Sequence, residues 1–417
     1  MLSRVLRTTI PLCILLTGLG VYRFAAVGNP TPPLTFPRAH PLVIGPRFNL
    51  PTVVTDEQLF HVLERLKPPR NPVNTNRLLH ALRLWGPHAQ FDDSEMMSGP
   101  AMQRYFLDAA EFGRLAGVDT PPLYEIDTEN GNVRVRDWSP GSPHRTTSSY
   151  HLNDILATLA ETGTPLDTPL VTVDGTTDIK NLARTAMRRL HLEQHEYEWS
   201  VISYARYVYP ESGWKNQYGE RVLVDELVRE LIVAPPHYGA CNGLHRLEAM
   251  VVLCAADDQV TSARRTLAVR SRQKMRDYMG EVIRLLGAAQ SDQGYWTRQW
   301  PRGKSAREDK SASLADKILV TGHQLEWLAL VPRDLEPPRN MVVNAGQWLV
   351  RAVQEVDNET LLKNYGPFTH AGRALCLWRS KDPYQAWRDG ILIVPDSPLQ
   401  SGQSQSLPDT PRDEIGQ

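Results

Sequence analysis

The chain has 417 residues, and its 46 basic side chains nearly balance 47 acidic ones. With no excess of positive charge and no Lys/Arg stripe interleaved with aromatics, a nucleic-acid surface is excluded. The four cysteines, Cys13, Cys241, Cys254 and Cys376, contain no Cys-x-x-Cys pair, which excludes a disulfide scaffold and a Cys-rich zinc ribbon.

Met1 to Arg7 carries Arg4 and Arg7 and no acid, and Ile10 to Val21 is mostly apolar. A basic segment followed by a short apolar core is the pattern of an export signal. Ala26-Val27-Gly28 offers small residues for cleavage, while the apolar core falls short of the roughly 20 residues of a comfortable span. Residues 1–28 therefore read as a signal peptide or a membrane anchor. The protein is expected to be exported, with this segment as its only contact with a membrane. Residues 29–51, opening Asn29-Pro30-Thr31-Pro32-Pro33, read as a stiff Pro-rich linker.

Helical periodicity starts at Thr55, the expected N-cap of a helix that carries Leu59, Val62, Leu63 and Leu66 on one face. Asn76–Leu84 and Ala101–Ala116 are the next two helices. Leu123–Ile126 and Val133–Val135 flank Asn130-Gly131, a hairpin signal. Pro169–Ile179, around Asp174-Gly175, is a second small hairpin. Further helices are predicted at His151–Glu161, Asp178–Leu192, Glu196–Tyr209, Arg221–Ile232, Gly243–Ala256, Thr261–Ala289, Ser311–Leu330, Met341–Val356 and His370–Arg379. Residues 52–395 thus read as one all-α domain with small β-hairpin insertions, and the polar stretch 396–417 as a disordered tail.

Several helical segments carry similar turns. Gly243-Leu244-His245-Arg246-Leu247-Glu248 and Gly322-His323-Gln324-Leu325-Glu326 each place a Glu three residues after a His, and His370 and His151 sit in looser versions. Recurrent helix pairs suggest repeats that close on themselves, an α/α toroid of paired inner and outer helices. If inner helices start at one rim, a first-turn His faces the central cavity and its i+3 Glu lies one turn deeper. His245, Glu248, His323, Glu326 and His370 are then expected to line one cavity as catalytic groups, because a carboxylate-held His moves protons near neutral pH. The plainer alternative is that each pair holds neighbouring helices together. Glu196 and Glu198 form a candidate acid pair for glycoside chemistry, of which one at most faces the cavity, since two residues apart on a helix they point different ways. Cys241 and His245 offer two zinc ligands with no third in evidence, so neither a metal nor a cofactor is assigned.

Two resemblances bear on the fold. Gln290-Ser291-Asp292-Gln293-Gly294-Tyr295-Trp296 resembles the Gln-x(2–5)-Gly-x-Trp repeat of the squalene cyclase and prenyltransferase toroids, in which the repeat ends an outer helix and its Gln and Trp tie that helix to the next. Gly322-His323-x-x-Glu326-Trp327 is similar to the Gly-His-x-x-Glu-Trp segment of the N-acylglucosamine 2-epimerase family, a barrel of six α/α pairs. Phe368-x-His370-x-x-Arg373 is similar to that family's later Phe-His-x-x-Arg segment. The second resemblance implies acid and base roles for His323 and His370, although 47 residues separate them (370 minus 323), fewer than in the family, and an extra residue divides Phe368 from His370. Arg373, Trp327 and Trp296 are the expected substrate-binding residues. The Asp-x-Asp-Asp acid motif of squalene cyclases is absent, and neither Asp92-Asp93 nor Asp257-Asp258 is followed by the Asp that terpene synthases need for metal. The expected function is acid–base catalysis on a carbohydrate-like or other small substrate in the central cavity. The alternatives are a non-catalytic envelope toroid that binds a ligand or protein and, less favoured, a terpenoid cyclase or prenyltransferase relative.

Overall fold

A computed structural model describes residues 34–71, 73–117, 119–126, 131–136, 149 and 151–393. The export segment, the start of the linker and the tail lie outside the described residues. The protein is mostly α-helical. In chain order the elements are α1 (Asp56–Arg65), α2 (Thr75–Trp85), α3 (Gly99–Leu107), α4 (Ala109–Ala116), β1 (Tyr124–Ile126), β2 (Val133–Val135), α5 (Asp154–Glu161), β3 (Pro169–Thr172), β4 (Gly175–Asp178), α6 (Ile179–Arg189) and α7 (Glu198–Tyr207). They continue as β5 (Gly213–Lys215), β6 (Arg221–Leu223), α8 (Val224–Val233), α9 (Leu244–Asp258), α10 (Val269–Ala289), α11 (Leu314–Leu328), α12 (Arg339–Glu355), α13 (Asn358–Lys363), α14 (Tyr365–Trp378) and α15 (Pro383–Ile393).

Local chemistry fixes where helices begin. Thr55 Oγ1 accepts from the Gln58 amide while Gln58 Oε1 accepts from the Thr55 amide, a reciprocal cap for α1. Asn74, Asp178 and Ser313 cap α2, α6 and α11 in the simpler one-way manner. The single helix expected over Ala101–Ala116 is two. Asp108 is extended and its carboxylate accepts from the Ala110 amide, so it starts a new helix rather than continuing the old one. The strands pair antiparallel as β1–β2, β3–β4 and β5–β6. The third hairpin was not expected; Arg221–Leu223 pairs with Gly213–Lys215 instead of opening helix α8.

Helices α2, α5, α7, α9, α11 and α14 each pack against the next, and α14 packs back against α2. Their burial sets them apart. All ten residues of α7 are buried, as are Leu244 to Asp257 of α9, because these helices have neighbours all round. By contrast α10 buries one stripe, Met275, Met279, Val282, Ile283 and Leu286, and gives its other face to solvent. It packs on α8 and α9, while α12 packs on α11, α14 and α1. Helices α11 and α14 approach closely at Gly322, where an added Cβ would stand 3.0 Å from the backbone of His370. A residue without a side chain there lets α11 and α14 bring His323 onto His370.

Residues 34–51 do not form a free spacer. They run extended across the C-terminal ends of the ring helices, where the Leu42, Arg47 and Leu50 amides donate to the carbonyls of Arg206, Ala329 and Trp378. Phe48 stacks on Trp378 with centroids 5.2 Å apart, and Gln259 donates to the Val43 carbonyl. The residues that precede α5, α7 and α9 lie at the opposite, N-terminal ends. Among the described residues no helix is long and apolar enough to cross a membrane.

Candidate functional site

The loop before α9 is bent and pinned. Cys241, Asn242 and Gly243 take φ of 49°, 61° and 80°, three successive left-handed residues. Only Gly fits the last position, since a Cβ there would meet the Pro236 carbonyl at 2.0 Å. The strain at Cys241 and Asn242 is held from outside. Glu198 Oε1 accepts from the Ala240 amide at 2.5 Å, and the buried Arg246 guanidinium donates to the carbonyls of Leu231, Ala234 and Pro235. Cys241 is thereby set at the start of α9, one turn before His245, and it is the only half-exposed thiol among the described cysteines.

Three histidines meet beside it. Ring centroids lie 4.5 Å apart for His245 and His323, 3.7 Å for His323 and His370, and 6.2 Å for His245 and His370. His80 of α2 stands edge-on to His370 at 5.0 Å. Each ring presents Nδ1 to an oxygen. His245 Nδ1 is 2.8 Å from Glu248 Oε2, and His323 and His370 share Glu326, with Nδ1 3.1 and 3.0 Å from its Oε2. His80 Nδ1 donates to the Asn76 carbonyl at 2.7 Å. A carboxylate accepts only, so the facing Nδ1 atoms carry protons, and in the neutral rings of His245 and His370 the Nε2 atoms point away with their lone pairs. Nε2 of His323 and of His370 are both buried with no hydrogen-bond partner.

The carboxylates are matched by arginines. Arg83 binds Glu161 at 2.6 Å and also pairs with Glu248. Arg373 pairs with Glu161, lies 3.0 Å from Glu326 and 3.7 Å from Glu248, and Arg206 lies 3.9 Å from Glu161. Three guanidinium groups thus face three carboxylates in the interior of the ring. Burial pulls His245 and His370 well below the ordinary imidazole range, and the neighbouring His323 adds to the effect. Burial also lowers His80 to about 4. His323 behaves oppositely. Burial works against its charge, but Cys241 and Glu326 outweigh it and push the imidazole up to about 9. Reciprocally, burial opposes ionisation of Cys241, and His323 nevertheless holds the thiol below its usual value.

Two cavities border His151. The outer one, about 350 Å³, is lined by Arg136, His151, Arg189, Glu193, Gln194 and Glu196, among others. The inner one, about 10 Å³, is bounded by His151, Trp199, Cys241 and His245 together with Arg83 and Asp154. His151 borders both, and its Nδ1 is 2.8 Å from Glu196 Oε2. Burial lowers the His151 affinity for a proton, but Glu196 and Asp154 push it up to about 9. Glu196 faces the outer cavity from a left-handed backbone, whereas Glu198 is buried against Ala240, so one of that acid pair reaches the cavity.

His245, Glu248, His323, Glu326 and His370 all fall in one cluster. Only His245 occupies a first helical turn; His323 is the tenth residue of α11 and His370 the sixth of α14, counted from Leu314 and Tyr365. The His323–Glu326 and His370 positions are therefore mid-helix, and closure of the ring brings them together, not a shared helix start. Arg373 belongs to the ion network. Trp296 and Trp327 are fully buried in packing, their indoles donating to the Leu286 carbonyl and to Gln324. A third partner for Cys241 and His245, which the sequence did not reveal, is His323: one ligand atom from each lies within 4.8 Å of the others. His80, Arg83, Glu161 and Arg206 were also missed. Arg83 gave a signal, a charge on the apolar Leu79 face of α2. Searches against protein-family models, curated proteins and solved structures find no match to this chain.

Proposed function

We propose that the six mutually packed helices form the inner wall of an α/α toroid and that its buried centre is the acid–base site of an enzyme acting on a small, polar, carbohydrate-like substrate. The closed sequence of helix contacts supports the toroid. So does the Gln290 turn at the end of α10, whose amide donates to the carbonyls of Gly294 and of Met341 on α12, a tie from one outer helix to the next. The observation that carries the function is the convergence of His245, His323 and His370 on two carboxylates, with two imidazole nitrogens left buried and unpartnered. Groups of this kind accept and return protons when a substrate reaches them. The outer cavity falls in the ordinary range for a small ligand, about 300–1,000 Å³, and its charged and amide lining suits hydroxyl groups. Export through residues 1–28 completes the proposal.

The narrowness of the inner cavity favours a second reading, a non-catalytic toroid that binds its ligand at the outer cavity. The experiment that separates them incubates the protein with a panel of hexoses, N-acylhexosamines and uronic acids in heavy water and follows each by proton NMR. Deuterium at a carbon, or a new product, that disappears in His323→Ala and His370→Ala while the thermal midpoint holds supports the enzyme. Binding without exchange or product supports the second reading.

A further inference from the structure

We propose that Cys241, His245 and His323 hold a zinc ion whose fourth position opens on the inner cavity. The inference rests on the reading of this cluster as the functional centre, and it reassigns two of the histidines: a ligand cannot also be a general base, so His370 is left as the proton-transfer group.

Four observations lead to it. The first is donor chemistry and spacing. One ligand atom from each of Cys241, His245 and His323 lies within 4.8 Å of the other two. Zinc bonds of about 2.0–2.3 Å to N and S place tetrahedral ligand atoms about 3.3–3.8 Å apart, so small rotamer shifts complete the set. A thiolate with imidazoles suits zinc over calcium or magnesium, which take oxygen ligands. The second is orientation. Zinc-bound imidazoles commonly give their other nitrogen to a carboxylate, which fixes the tautomer and raises ligand basicity. Glu248 does this for His245 and Glu326 for His323.

The third is an unmet need. His323 Nε2 is fully buried without a partner, on a side chain 2% exposed. A buried polar nitrogen without a partner is costly, and a cation bound there in place of a proton removes the cost. The fourth is the pinned loop. The left-handed run at Cys241 to Gly243 aims a thiol at two histidines from other turns of the ring, and Glu198 and Arg246 keep it there. Three protein ligands with an open fourth position are the pattern of a catalytic zinc rather than a structural one. Cys241 and His245 both border the inner cavity of about 10 Å³, close to the room one water needs, about 10–15 Å³. His370, whose ring centroid lies 3.7 Å from that of His323 and whose Nε2 is also unpartnered, is the nearest imidazole outside the ligand set to act as the proton-transfer group.

The test uses the purified full chain and needs no substrate. Elemental analysis after zinc loading and gel filtration is expected to give one zinc per chain. Reconstitution with Co²⁺ is expected to produce a thiolate-to-cobalt charge-transfer band, absent in Cys241→Ser, with both proteins keeping the same helical circular dichroism. Glu326→Gln, which keeps every ligand and loosens the orientation of His323 along with the contacts to His370 and Arg373, is expected to lower zinc affinity by about 10–100-fold. Zinc is also expected to protect Cys241 from iodoacetamide, with reactivity restored by a chelator. Failure to bind either metal stoichiometrically overturns the proposal. So does cobalt binding without a thiolate band, or equal alkylation with and without zinc, which would instead mark Cys241 and His323 as a nucleophile and its base. If zinc is bound but no sugar in the panel exchanges or reacts, the catalytic reading fails and the metal site stands. If neither metal binds and exchange proceeds in chelator, the reverse holds.

Discussion

The packing between the ring and its outer helices and the middle of the ring are both buried, but they are made of opposite materials. Around α14 the contacts are apolar: Phe48 stacks on Trp378, Trp85 stands edge-on to Phe91, and Trp387 packs on Tyr384. Inside the ring are three arginines, three glutamates and four histidines within hydrogen-bonding or ring-contact distance of one another. Apolar burial stabilises a fold by about 25 cal/mol per Å², whereas a buried ion network barely offsets its own desolvation. A chain that needed only to fold would fill its centre as it fills its periphery. The difference supports the proposed placing of the function in the middle, with the stability carried by the shell.

The contrast can be broken most forcefully at Arg373. Arg373→Met leaves Glu161 and Glu326 facing each other with less positive charge, and is expected to cost about 3–5 kcal/mol in urea unfolding, as broken buried pairs do. Gly322→Ala comes next. Its methyl would press on the His370 backbone at 3.0 Å, so α11 and α14 must part, at a cost of about 1–3 kcal/mol. The same change should reduce whatever binding depends on His323 and His370 being in ring contact.

At the rim the expected effect is smaller and depends on pH. The folded value of His151 is raised to about 9, above the ordinary 6.5, so the charged His151–Glu196 pair stabilises the fold fully below about pH 6.5 and loses its contribution as pH rises through about 9. His151→Gln should therefore be less stable than the parent by about 1 kcal/mol at pH 6, and the gap should close by pH 10. Least of all, Arg276→Ala at the exposed pair with Asp334 should change stability by less than about 1 kcal/mol.

Much of the shell was legible in the sequence because amphipathic periodicity records which face of a helix is covered. The helix expected over Thr261–Ala289 appears as α10, starting at Val269, and the Thr55 cap of α1 appears as expected. The break at Asp108 was not legible from periodicity, since apolar spacing continues across it and only the side-chain cap marks the stop. In the centre, the His245/Glu248 and His323/Glu326 pairs showed through their i, i+3 spacing. Their partners did not. Glu161 ends a helix that reads as ordinary, and the meeting of Cys241 with His323, 82 residues later (323 minus 241), exists only once the ring closes. The docking of residues 34–51 was hidden for a similar reason: the sequence shows a stiff Pro-rich segment, but not the acceptors that the Leu42, Arg47 and Leu50 amides find.

The central claim is that the histidines serve chemistry and the apolar layer serves the fold. His323→Asn tests it most directly, because the amide keeps a donor near the Nδ1 position toward Glu326 and deletes Nε2. Urea unfolding in the presence of chelator, paired with a zinc titration of the same sample, reads both roles. The account predicts a stability loss under about 1.5 kcal/mol, the scale of one ordinary hydrogen bond, together with zinc binding at least tenfold weaker. A loss above about 3 kcal/mol with zinc affinity unchanged would contradict it and make His323 a structural residue.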